Sequence, residues 1–192
     1  MSTTFEAIEG VLLALPAGLP PDTVTACEDS LLLSWLAANK ADDPTKISQV
    51  LGQIGWLVSQ SGASQSKVAV SKVGAMIMTT AAQGVTDPPD FGTVLNAAAG
   101  TPHDLAAGWW AKGSLGHILA TAAGGDQTRI YLTNATVKMP DPWRVLFDPA
   151  AEAEVSITQL EVTLNPQVFD GVKADIEAKV APYRKDILKY TN

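Results

Sequence analysis

The sequence predicts an α+β protein with a three-layer α/β/α arrangement, in which helical hairpins wrap an antiparallel sheet within a single domain. Three observations support this fold class: helical periodicity in the first half of the chain, alternating β-patterned stretches after it, and an apolar side that switches within those stretches. The 192 residues, 46% of them hydrophobic, can bury one well-packed core. We expect a helix-rich part at 1–112, a β-rich part at 113–165 and a C-terminal helix at 166–190.

The opening segment, residues 4–15, is compatible with two structures. Its apolar residues have helical spacing, and Thr3 with Glu6 forms the Thr-x-x-Glu pattern of a helix N-terminus. Gly10 weakens a helix, so a strand remains an alternative. Residues 66–83 are equally open, since they begin with strand-like alternation and continue with helical spacing.

Two consecutive helices are predicted at 22–39 and 44–59, each with an apolar stripe at spacings of three and four. Asp43 and Pro44 supply the N-cap and the first position of the second helix. The short turn between the helices predicts an antiparallel hairpin. Cys27 lies on the apolar stripe of the first helix, where a cysteine is usually a small inert hydrophobe rather than a reactive thiol.

The rest of the chain is predicted to contain most of the sheet. The Ser/Gly/Gln composition of residues 59–66 indicates a loop. Residues 118–122 and 128–139 flank a Gly-Gly-Asp sequence, which favours a turn between antiparallel strands. Residues 145–147 are a short strand candidate and 154–164 a long one.

The apolar side of the long predicted strand changes along its length. Val155 and Ile157 have one parity, whereas Leu160 and Val162 have the other. The preceding predicted strand switches in the same way near Thr133. Because side chains alternate strictly along a strand, a switch predicts either a β-bulge or a sheet covered on both faces. Helical layers on both sides account for both switches.

The chain offers few residues for catalysis or metal binding. His103 and His117 are far apart in the sequence and Cys27 is the single thiol, so no cluster has the spacing of a zinc site. No nucleophile-elbow or dinucleotide-binding motif is present. We therefore predict no enzyme activity, no catalytic residues, no cofactor and no metal. A hydrolase that uses Ser114 with His117 is the enzymatic alternative.

Charge and composition restrict the partners and the location. The net charge of −7 comes without a basic stripe, which excludes nucleic acid as an expected partner. The N-terminus lacks the basic start and cleavage site of a secretory signal, and one cysteine cannot form an internal disulfide. We expect synthesis in the cytoplasm without a signal peptide. No apolar stretch reaches the roughly 18 to 20 residues that span a bilayer.

Adjacent tryptophans, Trp109 and Trp110, are the most suggestive local feature. Neighbouring indoles on a helix or strand cannot both face one core, so one of them is expected at a surface or an interface. The alternative is that both rings are buried between two layers.

The run Trp109-Trp110-Ala-Lys112, the hairpin around Gly124-Gly125 and the strand from Val155 to Val162 resemble the C-terminal half of Cyt-type cytolytic δ-endotoxins and their relative volvatoxin. Those proteins also follow an aromatic-aromatic-Gly/Ala-Lys run with a hairpin and a final Val-x-Ile-x-x-Leu strand. The chain departs from this family in its helix-like opening segment, where the family has a strand, and in a shorter chain with no evident propeptide.

The resemblance implies a toxin: a soluble monomer that, once released, binds lipid of a target-cell membrane, moves its helical layers away and self-associates into a pore-forming or permeabilising oligomer. The residues it places in contact with the membrane are Trp109, Trp110, Ile118, Tyr131, Leu132, Val137, Val155, Ile157, Leu160 and Val162. The alternative is a non-lytic binding or assembly protein that holds a partner protein or an apolar ligand.

Overall fold

The computed structural model describes residues 3–8, 10–40, 43–83 and 118–191. These residues build one seven-stranded sheet with the order β3-β6-β5-β4-β2-β1-β7. The strands are β1 (Thr3–Ile8), β2 (Val11–Pro16), β3 (Trp56–Ala69), β4 (Ile118–Ala123), β5 (Arg129–Lys138), β6 (Glu152–Leu164) and β7 (Leu188–Thr191). The sheet is mixed: β2 and β4 are parallel, and the other neighbouring pairs are antiparallel.

Helices lie on both faces of this sheet. The described helices are α1 (Pro21–Ala37), α2 (Pro44–Gln53), α3 (Val73–Ala81), α4 (Pro142–Phe147), α5 (Pro166–Asp170) and α6 (Lys173–Val180), with 3-10 turns at Val70–Lys72 and Ala181–Asp186, and α4 contributes to neither face. The predicted start of α2 is confirmed, since Pro44 is its first residue and the Asp43 carboxylate accepts a hydrogen bond from the Thr45 amide at 2.9 Å.

Two hydrophobic clusters separate the helices into layers. One cluster joins the sheet to α1, α2, α5 and α6, and we call this side of the sheet the α1 face. The other joins it to α3 and the 3-10 turn before α3, within the part of the chain that is described, and we call that side the α3 face. The α+β fold with a sheet between two helical layers is therefore as expected from the sequence, but the sheet is mixed rather than wholly antiparallel because β2 and β4 pair in parallel.

The predicted switch in apolar parity is also present. Ile130 and Leu132 belong to the cluster on the α1 face, whereas Ala135 and Val137 belong to the cluster on the α3 face. β6 switches in the same way after Ile157. β5 and β6 pair without a register shift, so no bulge causes the change. The two helical layers instead cover staggered parts of the same strands.

The two segments that the sequence left open contain strands. Residues 4–15 form the antiparallel hairpin of β1 and β2, and not a helix. The inner residues of this hairpin are buried on both faces, which removes the period of two that identifies a strand. Within residues 66–83, β3 ends at Ala69, and a 3-10 turn then leads into α3.

Other sequence-based predictions were wrong. Residues 59–66 are not a loop but the middle of β3, which forms because β6 pairs along it. Residues 145–147 belong to α4 rather than to a strand, and the helix predicted at 44–59 ends at Gln53 because β3 begins three residues later, at Trp56. The C-terminal helix predicted at 166–190 is divided into α5, α6 and a 3-10 turn, and β7 follows.

Three strands of the sheet, β1, β2 and β3, come from the first 112 residues, which were expected to be helix-rich. β7 joins the sheet beside β1, so the first and last described strands lie next to each other at one edge. Apart from the β1–β2 hairpin, these strands pair with segments that are distant in the sequence. The composition of the segments does not reveal such pairings.

Candidate functional site

The connection between β5 and β6 is a short helix held by two aspartates. The Asp141 carboxylate accepts a hydrogen bond from the Trp143 amide at 2.8 Å, and Pro142 occupies the first helical position. At the other end, the Asp148 carboxylate accepts from the Ala150 amide at 2.9 Å. The two Asp-Pro sequences therefore lie at the two ends of α4, where each aspartate forms a local side-chain turn, at one end of the sheet.

α4 presents three large apolar side chains to solvent. Trp143, Leu146 and Phe147 are 70%, 72% and 79% exposed. The rings of Trp143 and Phe147 stack with their centroids 6.4 Å apart and their planes within 6°. Residues three and four positions apart share one side of a helix, so the three side chains form one patch, which we call the α4 tip. A concentrated apolar patch of this kind marks an interaction surface.

Charged side chains of both signs surround the base of the α4 tip. Lys67 and Lys138 both lie near Glu154, with Nζ to carboxylate distances of 3.9 and 3.8 Å, and Arg144 lies 3.8 Å from Asp148. These pairs are exposed and contribute little to stability. Cations and anions alternate here, so the surroundings of the tip carry no single sign of charge.

The strand residues predicted to contact lipid are brought together by the structure but are buried. They divide between the two faces: Ile118, Leu132, Leu160 and Val162 lie on the α1 face, and Tyr131, Val137, Val155 and Ile157 on the α3 face. None of the eight is more than 9% exposed. Contact with a membrane therefore requires a helical layer to move first. Trp109 and Trp110 lie outside the described residues.

α3 covers its face with few buried side chains of its own. Val73, Ile77 and Ala81 are its buried apolar residues. The Gln159 side-chain amide of β6 also donates a hydrogen bond to the Thr80 carbonyl oxygen at 2.9 Å. Within the described residues, α3 is thus attached by these apolar side chains, with Met76 and Met78 packed against the same cluster, and by a polar link to the strand beneath it.

The α4 tip was missed by sequence reasoning because residues 145–147 were interpreted as a strand. A signal was present in the sequence. Asp141 and Pro142 have the N-cap and first-position pattern of a helix, and Trp143 and Phe147 are four residues apart. A six-residue helix is too short for apolar periodicity to distinguish it from a strand.

The described residues contain no group of three or more His, Cys, Asp or Glu side chains that could hold a metal ion. Burial raises the pKa of the Cys27 thiol to about 12, with Glu28 and Glu6 adding to the effect, so the thiolate is scarce at neutral pH. The hydrolase alternative rests on Ser114 and His117, which lie outside the described residues. No described helix has both the length and the apolar character needed to cross a membrane.

The chain matches no protein-family model, and no curated protein or solved structure is significantly similar to it.

Proposed function

We propose that this protein is a membrane-active cytolysin that binds lipid and oligomerises into a pore-forming or permeabilising assembly. The observation that carries the proposal is the burial of apolar side chains on both faces of β5 and β6 beneath separate helical layers. A sheet with one polar face keeps that face in water when the protein opens. Here the two halves of β5 and β6 are apolar on opposite faces, so release of either layer uncovers an apolar surface for lipid.

The α4 tip supplies the first contact in this proposal. Aromatic side chains are favoured at the membrane–water interface. Trp143 and Phe147 are already exposed to solvent on α4. They need no conformational change to reach lipid. The mixed charges around them match a phosphocholine headgroup, which carries both signs.

The next step is release of α3. Movement of α3 uncovers Val137, Val155 and Ile157 at the end of β5 and β6 that joins α4. β6 stays paired with β3 on one side and with β5 on the other, so its peptide groups remain hydrogen-bonded when its apolar side chains meet lipid. Lipid or a second copy then covers the apolar side chains.

The first described segment also supports the resemblance to the Cyt-type cytolysins. Residues 3–8 form a strand rather than a helix, and the resemblance implies a strand at this position. The helical layers on both faces of the sheet are a feature that the implied fold shares, whereas the parallel pairing of β2 with β4 departs from the antiparallel sheet of that fold.

The test is dye release from zwitterionic phosphatidylcholine vesicles at micromolar protein. We expect the native chain to bind and to release dye. The double variant Trp143→Ala with Phe147→Ala is expected to bind at least about tenfold more weakly, because burying each ring contributes on the order of 1.5–3 kcal/mol. Its stability should not fall, since both rings are exposed.

A matched control removes exposed apolar groups at the other end of β6. Leu57 is 58% exposed and Val168 is 47% exposed, and both lie near Leu164 rather than near Glu152. Changing Leu57 and Val168 to Ala should leave vesicle binding unchanged. Absence of both binding and dye release by the native chain at micromolar concentration would refute the proposed function.

A second candidate is a non-lytic protein that binds an apolar ligand, favoured by a cavity of about 430 Å³ between α1 and the C-terminal segment. Ile8, Leu32, Trp35 and Leu36 form much of its wall. A cavity of this size holds a small ligand. Saturable binding of the dye anilinonaphthalene sulfonate without lipid, lost in Leu36→Trp but kept in the Trp143/Phe147 double variant, would favour this candidate.

A further inference from the structure

β3 lies at an edge of the sheet and is its longest strand. It pairs with β6 along one side from Trp56 to Ala69. Along the other side, no described residue pairs with its backbone, and residues 57–65 are exposed. An edge of this length presents a row of free amide and carbonyl groups to any strand that approaches it.

This edge lacks most of the features that prevent strand pairing between molecules. It contains no proline, and Lys67 is its only charged residue. Its one register irregularity lies at Ser59, close to its start. The stretch Gln60–Ser66 consists of small or neutral polar residues without a bulge. The opposite edge differs, because β7 has four residues and includes Lys189.

We propose that the β3 edge is the surface through which two copies of this chain join, by antiparallel pairing of β3 with β3. Such a contact is symmetric, and it closes after two copies. Pairing centred near Ala63 brings neutral residues opposite neutral residues. It also keeps the two Lys67 side chains roughly 25–30 Å apart along the strands, at about 3.4 Å per residue. The partner is a second copy because the segment complements itself in length, charge and direction.

The contact joins the two sheets into one continuous sheet, to which each copy contributes its seven described strands. In the proposed cytolysin this joint is the first step of assembly, and only this role of the contact rests on the proposed function. The pairing itself requires nothing but the exposed edge, and a membrane promotes it by concentrating the protein on a surface.

The test is crosslinking through a single introduced thiol. Cys27 is fully buried, so Ala63→Cys adds one accessible thiol at the middle of the β3 edge. Thr136→Cys is the matched control, because Thr136 is exposed but lies on β5, an interior strand of the sheet that pairs with β6 at this position. A short bismaleimide should give a covalent dimer from Ala63→Cys and not from Thr136→Cys, in solution or on phosphatidylcholine vesicles.

A charge variant tests the same edge without crosslinking chemistry at its centre. Ser61→Lys with Ser64→Lys, added to Ala63→Cys, should abolish the dimer, whereas Thr136→Lys added to Ala63→Cys should not. Circular dichroism establishes that each variant is folded. Dimer yield from Ala63→Cys that does not exceed the Thr136→Cys control, both with and without vesicles, overturns the inference.

The two proposals fail separately. A covalent dimer from Ala63→Cys without dye release supports the edge contact and removes the cytolytic function. Dye release by the native chain, with crosslinking at Ala63 no greater than at Thr136, removes the edge contact and leaves the cytolytic function standing.

Discussion

Lys189 Nζ lies 2.8 Å from Oε1 of Glu6, a carboxyl group on β1 that is completely buried. The same ammonium group lies 3.5 Å from Glu28 of α1. This contact ties β7, the last strand, to the first strand and the first helix. Burial raises the pKa of Glu6 from 4.5 to about 8, and a hydrogen bond with Glu28 adds to the increase, so Glu6 is mostly protonated at neutral pH.

The pKa of Glu6 predicts that the protein loses stability as pH rises. Between pH 4.5 and about 8 the folded chain retains a proton that the unfolded chain has released. The stabilisation is therefore complete below pH 4.5 and is lost as pH rises through about 8. In Glu6→Gln this group no longer titrates. Urea unfolding from pH 5 to 8.5 should show a smaller decline for Glu6→Gln than for the native chain. Equal declines would contradict the prediction.

A second ion pair holds the segment before β7. Arg184 Nη2 lies 2.6 Å from the carboxylate of Asp29, which is 3% exposed. Arg184→Ala leaves this carboxylate buried without its partner and should lower the free energy of unfolding by about 1–3 kcal/mol. The control is Arg144→Ala, because Arg144 and Asp148 are both well exposed and their pair contributes about 0.5 kcal/mol or less. Equal losses in the two variants would show that burial of Asp29 is not decisive.

The turn between α2 and β3 depends on a glycine. Gly55 has a φ of +97°, and a Cβ atom there would lie 3.0 Å from the Phe169 amide nitrogen. Gly55→Ala should therefore destabilise the protein by about 1–3 kcal/mol through backbone strain. At Gly62, in β3, a Cβ atom meets nothing within 4 Å. Gly62→Ala should be neutral or stabilising by up to about 1 kcal/mol, because alanine loses less entropy in a strand. Thermal unfolding of both variants decides between these outcomes.

The proposed release of α3 can be compared with loosening of the other layer. Ile77 of α3 and Ile47 of α2 are both completely buried, on opposite faces of the sheet. Each change to Ala should cost about 2–5 kcal/mol of stability. If α3 is the layer that opens, Ile77→Ala increases the rate of vesicle dye release more than Ile47→Ala does. A larger increase with Ile47→Ala would indicate that the layer on the α1 face moves instead.

Local patterns predicted the parts of the fold that local physics determines. The α1–α2 hairpin follows from apolar spacing and from the Asp43-Pro44 start of α2. The parity switches in β5 and β6 predicted a sheet covered on both faces, and the two hydrophobic clusters confirm it. Burial of Cys27 was also expected from its place on the stripe of α1.

The candidate site was predictable only in part. Eight of the ten predicted contact residues lie together in the sheet core, and the other two, Trp109 and Trp110, lie outside the described residues. The alternation and apolar character of the eight strand residues indicated the strands, but these patterns did not indicate which helices bury each face. The exposed aromatic pair of α4 was missed because six residues carry too little periodicity.

The sequence by itself determined the two helices of the α1–α2 hairpin and the change of apolar side along two long strands, because capping and periodicity act over a few neighbouring residues. The tertiary structure decided the rest. β1 and β2 are buried on both faces and have no alternation to detect, and the polar segment of β3 is a strand because β6 pairs with it. β7 likewise has its place through β1 and the Glu6–Lys189 contact. Pairing between distant segments depends on the partner strand, and no local pattern contains that partner.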